Sequence, residues 1–317
     1  MEAETRYHPS SEQLALVSTI EEALAALLPL SRLHRSSVED AKTWSGLEEI
    51  GIFGIGASEE QGGSGLGATE EALIVLALGR RLAAPTVLAT IGAAHSPLGQ
   101  DAIRGRRVSA GYRRGNRVIL LEDAEADRLL LRDGGGAALH ELGSCTSRSI
   151  DERNWLTSLR EAVGLGEPLA RFGASQLLRL RLIDAAALAG IAQAALDMGV
   201  AYAGIRSQFG RPIGSFQAIK HHCANMALAA RCARDQTGFA AVAVDERRPD
   251  AALQVECALF VAGSAALDNA GKNIQIHGGM GFSDEADPHL FLKRAQLQIA
   301  VAGGLEAANE RIAAIEA

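Results

Sequence analysis

Apolar residues recur at three-and-four spacing through most of the chain, the period of a helix with one buried face. Leu14, Leu16, Ile20, Leu24 and Leu27 predict a first helix, and Ser10 with Gln13 has the spacing of a capping box before it. A second is predicted over residues 38–50, with Gly51 supplying a left-handed residue at its end. Thr69 is the expected cap of a third, which runs through Leu82 until Pro85 stops it. Glycines between residues 59 and 67 predict a compact irregular loop. From about residue 99 to 169 the period changes. Short apolar runs at 118–121 and 129–131 are bounded by charged residues, and Asp133-Gly134-Gly135-Gly136 reads as a turn, so this stretch is expected to be a small β segment. The helical period then returns, predicting helices over 178–205, 215–244, 250–276 and from 288 to the C-terminus. In the second of these Phe216, Ile219, Cys223, Met226, Ala227 and Ala230 share a face. Four long helices with short connections predict an antiparallel bundle.

Composition adds to this picture. The 317 residues are 48% apolar but only 4% aromatic, and 34 are glycine, a mix that suits closely packed helices. A formal charge of -7 carries no basic footprint for nucleic acid. The chain opens Met1-Glu2-Ala3-Glu4, unlike the basic start of a secretory signal. The most apolar run, 185–202, is interrupted by Gln193 and Asp197 and reads as a buried helix, so the expectation is a soluble cytoplasmic protein with no membrane span. Cys145, Cys223, Cys232 and Cys257 lack metal-ligand spacing and are expected as free thiols, the last three acting as small core residues. His221 and His222 point about a third of a turn apart on their helix, and with His289 they are read as packing or exposed residues, with no metal site.

Two stretches carry candidate chemistry. Tyr202-Ala203-Gly204-Ile205-Arg206-Ser207-Gln208-Phe209-Gly210-Arg211-Pro212-Ile213-Gly214-Ser215-Phe216-Gln217 resembles the helix-turn-helix signature of acyl-CoA dehydrogenases. Gln275-Ile276-His277-Gly278-Gly279-Met280-Gly281-Phe282 resembles the family's second signature, continued from Glu285 to Arg294. Trp44, Leu47, Gly51, Gly54 and the loop from Glu60 to Leu66 resemble its N-terminal helical domain. The resemblance covers about residues 10–95 and 175–310 and fails between them. It implies a mainly α, acyl-CoA dehydrogenase-like fold: an N-terminal helical domain over 1–98, a reduced middle β segment over 99–172 and a C-terminal four-helix bundle over 173–317. It also implies that Arg206, Gln208, Phe209, Gln217, Gln275, Gly278 and Gly279 bind FAD, reaching across an interface to a neighbour's cofactor. An arginine's planar donor fork suits phosphate oxygens, and side-chain-free glycines let backbone N–H groups approach. His277 is expected to serve the loop's geometry.

Dehydrogenation of an acyl-CoA needs a carboxylate within reach of the proton next to the thioester carbonyl. The family's usual glutamate falls at Ala302, and its alternative location falls near Leu180. Asp184, one turn beyond Leu180, is the nearest substitute, and Glu285 another carboxylate. The middle stretch also lacks the Thr-Glu, Gly-Ser and aromatic segments that cradle a flavin ring in such proteins. The resemblance therefore implies a base-lacking subunit of an α2β2 flavin-dependent acyl-CoA dehydrogenase of the steroid-degrading type. Its full-length partner would share FAD with it, the substrate would be an acyl-CoA thioester and the electron acceptor an electron-transfer flavoprotein-like protein. Two other readings stand beside it: a self-sufficient homo-oligomeric dehydrogenase with an atypical base, and a non-enzymatic helical scaffold.

Overall fold

A computed structural model describes residues 7–316 apart from 37, 122, 123, 144 and 152–155, so the acidic opening lies outside it. The N-terminal region holds α1 (Ser11–Leu27), α2 (Ala41–Glu49), α3 (Ala68–Arg80), α4 (Pro85–Ala94) and α5 (Gln100–Ile103). Ser10 and Gln13 form the reciprocal capping box, with N–O distances of 3.2 and 2.8 Å. Helix α2 starts at Ala41 because the Asp40 carboxylate accepts from the Thr43 N–H at 2.7 Å, and Gly51 takes φ +73° after it. Thr69 is not the cap of α3. That helix begins at Gly67, and the Asp245 carboxylate accepts from the N–H groups of Ala68 and Thr69 at 2.5 and 2.9 Å and from the Thr69 hydroxyl at 2.7 Å. A residue 177 positions away in sequence thus does what a local cap usually does. Pro85, expected as a stop, opens α4, where its missing N–H costs nothing.

The middle region is richer in strands than its two apolar runs predict. It forms a seven-stranded sheet in the order β5-β6-β2-β1-β3-β4-β7, from β1 (Val108–Arg114), β2 (Arg117–Leu121), β3 (Arg128–Asp133), β4 (Gly136–Glu141), β5 (Thr146–Asp151), β6 (Leu159–Val163) and β7 (Ala170–Arg171). Neighbours run antiparallel except the parallel pair β1 and β3. Val108, Ala110, Ile119, Leu121, Leu130 and Leu139 face the helices, packing with Leu180, Leu297 and Val301. Val118, Leu120, Leu129, Leu131 and Ala162 form a second cluster on the other face. Apolar residues on both faces explain the continuous runs.

The C-terminal bundle consists of α6 (Ala174–Ile205), a short hairpin of β8 (Ser207–Gln208) and β9 (Arg211–Pro212), α7 (Gln217–Asp245), α8 (Ala251–His277), α9 (Pro288–Val301) and α10 (Leu305–Glu316). The fourth predicted helix is therefore two, parted at Gly303 and Gly304, which take φ +96° and +93°. Helix α6 presses on α3 closely enough that a Cβ on Gly190 would lie 2.1 Å from the Leu76 carbonyl oxygen, and one on Gly79 2.1 Å from that of Ala187. Three helical stretches, Ser11–His34, Ala174–Ile205 and Ala251–Phe282, are long and apolar enough by composition to cross a membrane; the second and third spend much of that surface inside the bundle. The cysteines are less buried than their apolar neighbourhoods predict: Cys223 and Cys257 are half-buried and Cys232 is exposed.

Candidate functional site

The two signatures meet at one end of the bundle. Helix α6 stops at Ile205 and the chain turns back through a two-residue hairpin whose tip, Phe209 and Gly210, takes φ +52° and +77°. Positive φ at both central residues is what a tight hairpin needs, and a phenylalanine adopts it only at a cost. The Ile213 N–H donates to the Arg206 carbonyl at 2.8 Å and closes the return. Arg211 lies over the Phe216 ring at 4.2 Å and Phe209 meets the same ring edge-on at 6.1 Å. Helix α7 starts at once with Gln217 and has no side-chain cap, so its first N–H groups are free to receive an anion.

Across the end, α8 finishes at His277 and Gly278 takes φ +61°. The Tyr202 ring stacks on His277 at 4.0 Å, and His277 Nδ1 lies 2.8 Å from the Asn273 carbonyl oxygen. That stack, which the sequence reading did not anticipate, ties the last turn of α6 to the last turn of α8. Arg206, Gln208, Phe209, Gln217, Gln275, Gly278 and Gly279 are all exposed there. No carboxylate among the described residues pairs with Arg206, and Gln208 reaches only its neighbour's carbonyl. Ile205, Phe209, Met280 and Phe282 are 81%, 91%, 57% and 74% exposed, apolar side chains beside polar donors that none of the described residues covers. Unengaged arginine, open backbone at glycine and a free helix N-terminus fit a dinucleotide's phosphates.

The position of a catalytic base is different in kind. Leu180 and Ala302 are both buried, Ala302 against a cavity walled by Arg132, Arg181 and Arg311, and Leu180 fills the space beside Gly92 so fully that a Cβ there would lie 2.5 Å from it. Asp184 is 3% exposed, and both carboxylate oxygens are engaged, one by Arg132 and the other by Gln298, each at 2.8 Å. Burial pushes its carboxyl above the usual range, against the pull of Arg132 and Gln298. The cavity that these groups share with Leu180, Leu130 and Val301 is about 20 Å³, room for one water and not for a thioester. Glu285 stands in water beside Ser283, away from this space. Arg132 was invisible as a partner because nothing in the run 129–131 marks its inward face. A lone carboxylate within Leu182-Ile183-Asp184-Ala185-Ala186 was the available signal for one. Among the described residues no three His, Cys, Asp or Glu side chains converge on a metal-sized site.

Comparison with known proteins places these features in context. The profile of the acyl-CoA dehydrogenase C-terminal domain matches residues 171–315, and that of the N-terminal domain residues 10–105. Acyl-CoA dehydrogenase FadE34 of Mycobacterium tuberculosis is 32% identical over 285 residues, a match spanning 80% of this chain and 39% of that protein. Acyl-CoA dehydrogenase IpdE2 of the same organism is 29% identical over 273 residues, spanning 81% and 80%. The crystal structure of the ChsE4-ChsE5 complex from Mycobacterium tuberculosis superposes with a TM-score of 0.76 at 24% identity, covering 97% of this chain and 98% of that one.

Proposed function

This chain belongs to the acyl-CoA dehydrogenase family, and from that premise we propose that it is the noncatalytic subunit of a heteromeric, flavin-dependent acyl-CoA dehydrogenase, completing the FAD site of a full-length partner in an α2β2 assembly. The observation that carries this reading is an asymmetry: every residue matched to a neighbour's cofactor is exposed, while neither place of the family's base holds a free carboxylate, Leu180 and Ala302 being apolar and both oxygens of Asp184 engaged beside a space of about 20 Å³. FAD, when bound, supplies the hydride acceptor for α,β-dehydrogenation of the acyl-CoA. Arg206 and the free N–H groups at the start of α7 would hold its phosphates, Gln217 and Gln275 would donate amide hydrogens, and the open backbone at Gly278 and Gly279 would admit the cofactor closely. Gln208 and Phe209 would close over it from the hairpin. The base comes from the partner. We further propose a bulky CoA thioester from steroid catabolism as substrate, an electron-transfer flavoprotein-like acceptor and a cytoplasmic setting; the fold shared with a structure described as a steroid ACAD is in keeping with the first of these.

The test is co-expression and co-purification with full-length acyl-CoA dehydrogenases of the same organism. The chain alone should retain little flavin, the complex should be yellow and active, and Arg206→Ala should release FAD from the complex without dissociating it. Stoichiometric flavin with turnover by the chain alone would return the role to a self-sufficient enzyme. Full FAD retention by the complex carrying Arg206→Ala would leave the chain a scaffold.

A further inference from the structure

On the side of the bundle away from this end, the β3–β4 turn faces the α9–α10 break across a cavity of about 130 Å³. Its mouth is backbone at Gly134, Gly135 and Gly303, with φ +53°, +134° and +96°, and its walls carry Arg113, Arg132, Arg181 and Arg311. Their carboxylates are too few. Arg113 meets Asp133 at 2.7 Å and Arg132 meets Asp184 at 2.8 Å, but Arg181 and Arg311 share a single oxygen of buried Glu256, at 2.7 and 2.8 Å. Four arginines against three carboxylates leave one positive charge uncompensated. Arg311 Nη2 is buried with no partner, and among the described residues only one nitrogen of Arg132, itself 8% exposed, is engaged. Arg181 uses its remaining donor on the Gly135 carbonyl at 2.8 Å, which holds the turn in place. Burial together with repulsion from Arg311 and Arg132 pushes the Arg181 guanidinium below its usual range.

We propose that this cavity is a binding site for a tetrahedral oxyanion, a phosphate ion or the phosphoryl group of a small ester, held by Arg311 and Arg132 between the glycine turn and α10. The volume admits one such group and excludes a nucleotide. A phosphate oxyanion offers acceptors to the two free donor sets, its first negative charge balances the excess, and hydrogen bonds between ionised groups are the strong ones. The site shares no residue with the cofactor end but includes Arg132 and lies against Ala302, the place of the absent base; phosphate response of the chain and flavin content of the complex are separate readouts, so the two readings fail separately.

Thermal denaturation of the full chain tests it, with sodium phosphate or glycerol 3-phosphate titrated against sodium chloride at constant ionic strength. A ligand that binds only the folded state raises Tm saturably. Arg311→Gln should move the midpoint of that rise by about tenfold or more, the loss of one charge-assisted contact. Arg113→Gln, on the exposed rim, should weaken binding in the same direction and serves if the first variant folds poorly. Response to both probes assigns the phosphoryl group in general; response to phosphate alone assigns the free ion; either supports the site. A rise that does not saturate and is equal in the variants is a general salt effect and overturns the proposal, as does no rise at all.

Discussion

Glu71 lies 2% exposed between His95 and Arg179, accepting from each at 2.7 Å. Burial alone would push its carboxyl up, but His95 and Arg179 more than offset this and hold it below the ordinary value of 4.5. A depressed folded pKa means that the unfolded chain takes up the proton first as pH falls. The contribution to stability is therefore complete above about pH 4.5 and is lost through the interval below it. Glu71→Gln should lower Tm at neutral pH, with a loss of about 3–5 kcal/mol for breaking a buried pair. It should also flatten the fall of Tm between pH 5 and 3, measured by scanning calorimetry. A slope unchanged in the variant would remove Glu71 as the acid-sensitive group. Asp184 is the contrasting case, where burial outweighs the partners and raises the carboxyl. Its two oxygens are occupied by Arg132 and Gln298, so it pins β3 and α9 to α6 where a base would need a free oxygen.

At the scale of elements the closest contact is the crossing of α3 and α6, where Gly79 and Gly190 bring backbone against backbone. Gly190→Ala should improve helix propensity, yet it places a methyl 2.1 Å from the Leu76 carbonyl oxygen. The helices must part, and the expected loss is about 1–3 kcal/mol, read as a fall in Tm. An unchanged or higher Tm would show that the crossing relaxes freely. Much of the element order was legible because burial on one side writes the three-and-four period into α7 and α8, while α6, buried all round from Leu182 to Ala192, reads as a long apolar run. What was not legible depended on distant partners. Asp245 caps α3 from the end of α7, and the local contribution comes from Glu70, which accepts from the Gly67 N–H at 3.0 Å, not from Thr69. Strand β5, Thr146–Asp151, has no apolar alternation to betray it, since an edge strand is held by its pairing with β6. The break before α10 was written in Gly303 and Gly304 but read there as the place of a missing glutamate. Of the candidate site, the polar donors came through their signature, whereas the Tyr202–His277 stack that aligns them required the packing of α6 on α8.

For the whole molecule, the end carrying Ile205, Phe209, Met280 and Phe282 is the surface with an unmet demand for cover. Polar residues surround these side chains, so the patch suits an interface with a hydrophobic centre and a wet rim. Phe209→Ser combined with Phe282→Ser should leave the unfolding free energy of the isolated chain within about 1 kcal/mol of the parent, because neither ring is buried. The same pair should abolish co-purification with the partner in size-exclusion chromatography. Persistence of the complex would move the interface elsewhere.

The hairpin tip has a kinetic side. Phe209 is held at φ +52° by the turn and the return bond from Ile213 to Arg206, so its ring already projects before any encounter. Docking then requires no folding of the tip, and little ordering entropy is left for the collision complex to surrender. In the proposed assembly the conformation fixed in that one residue would set how readily two subunits find each other, and an Asn-Gly tip, equally well turned but without the ring, would separate the speed of association from the strength of the finished assembly.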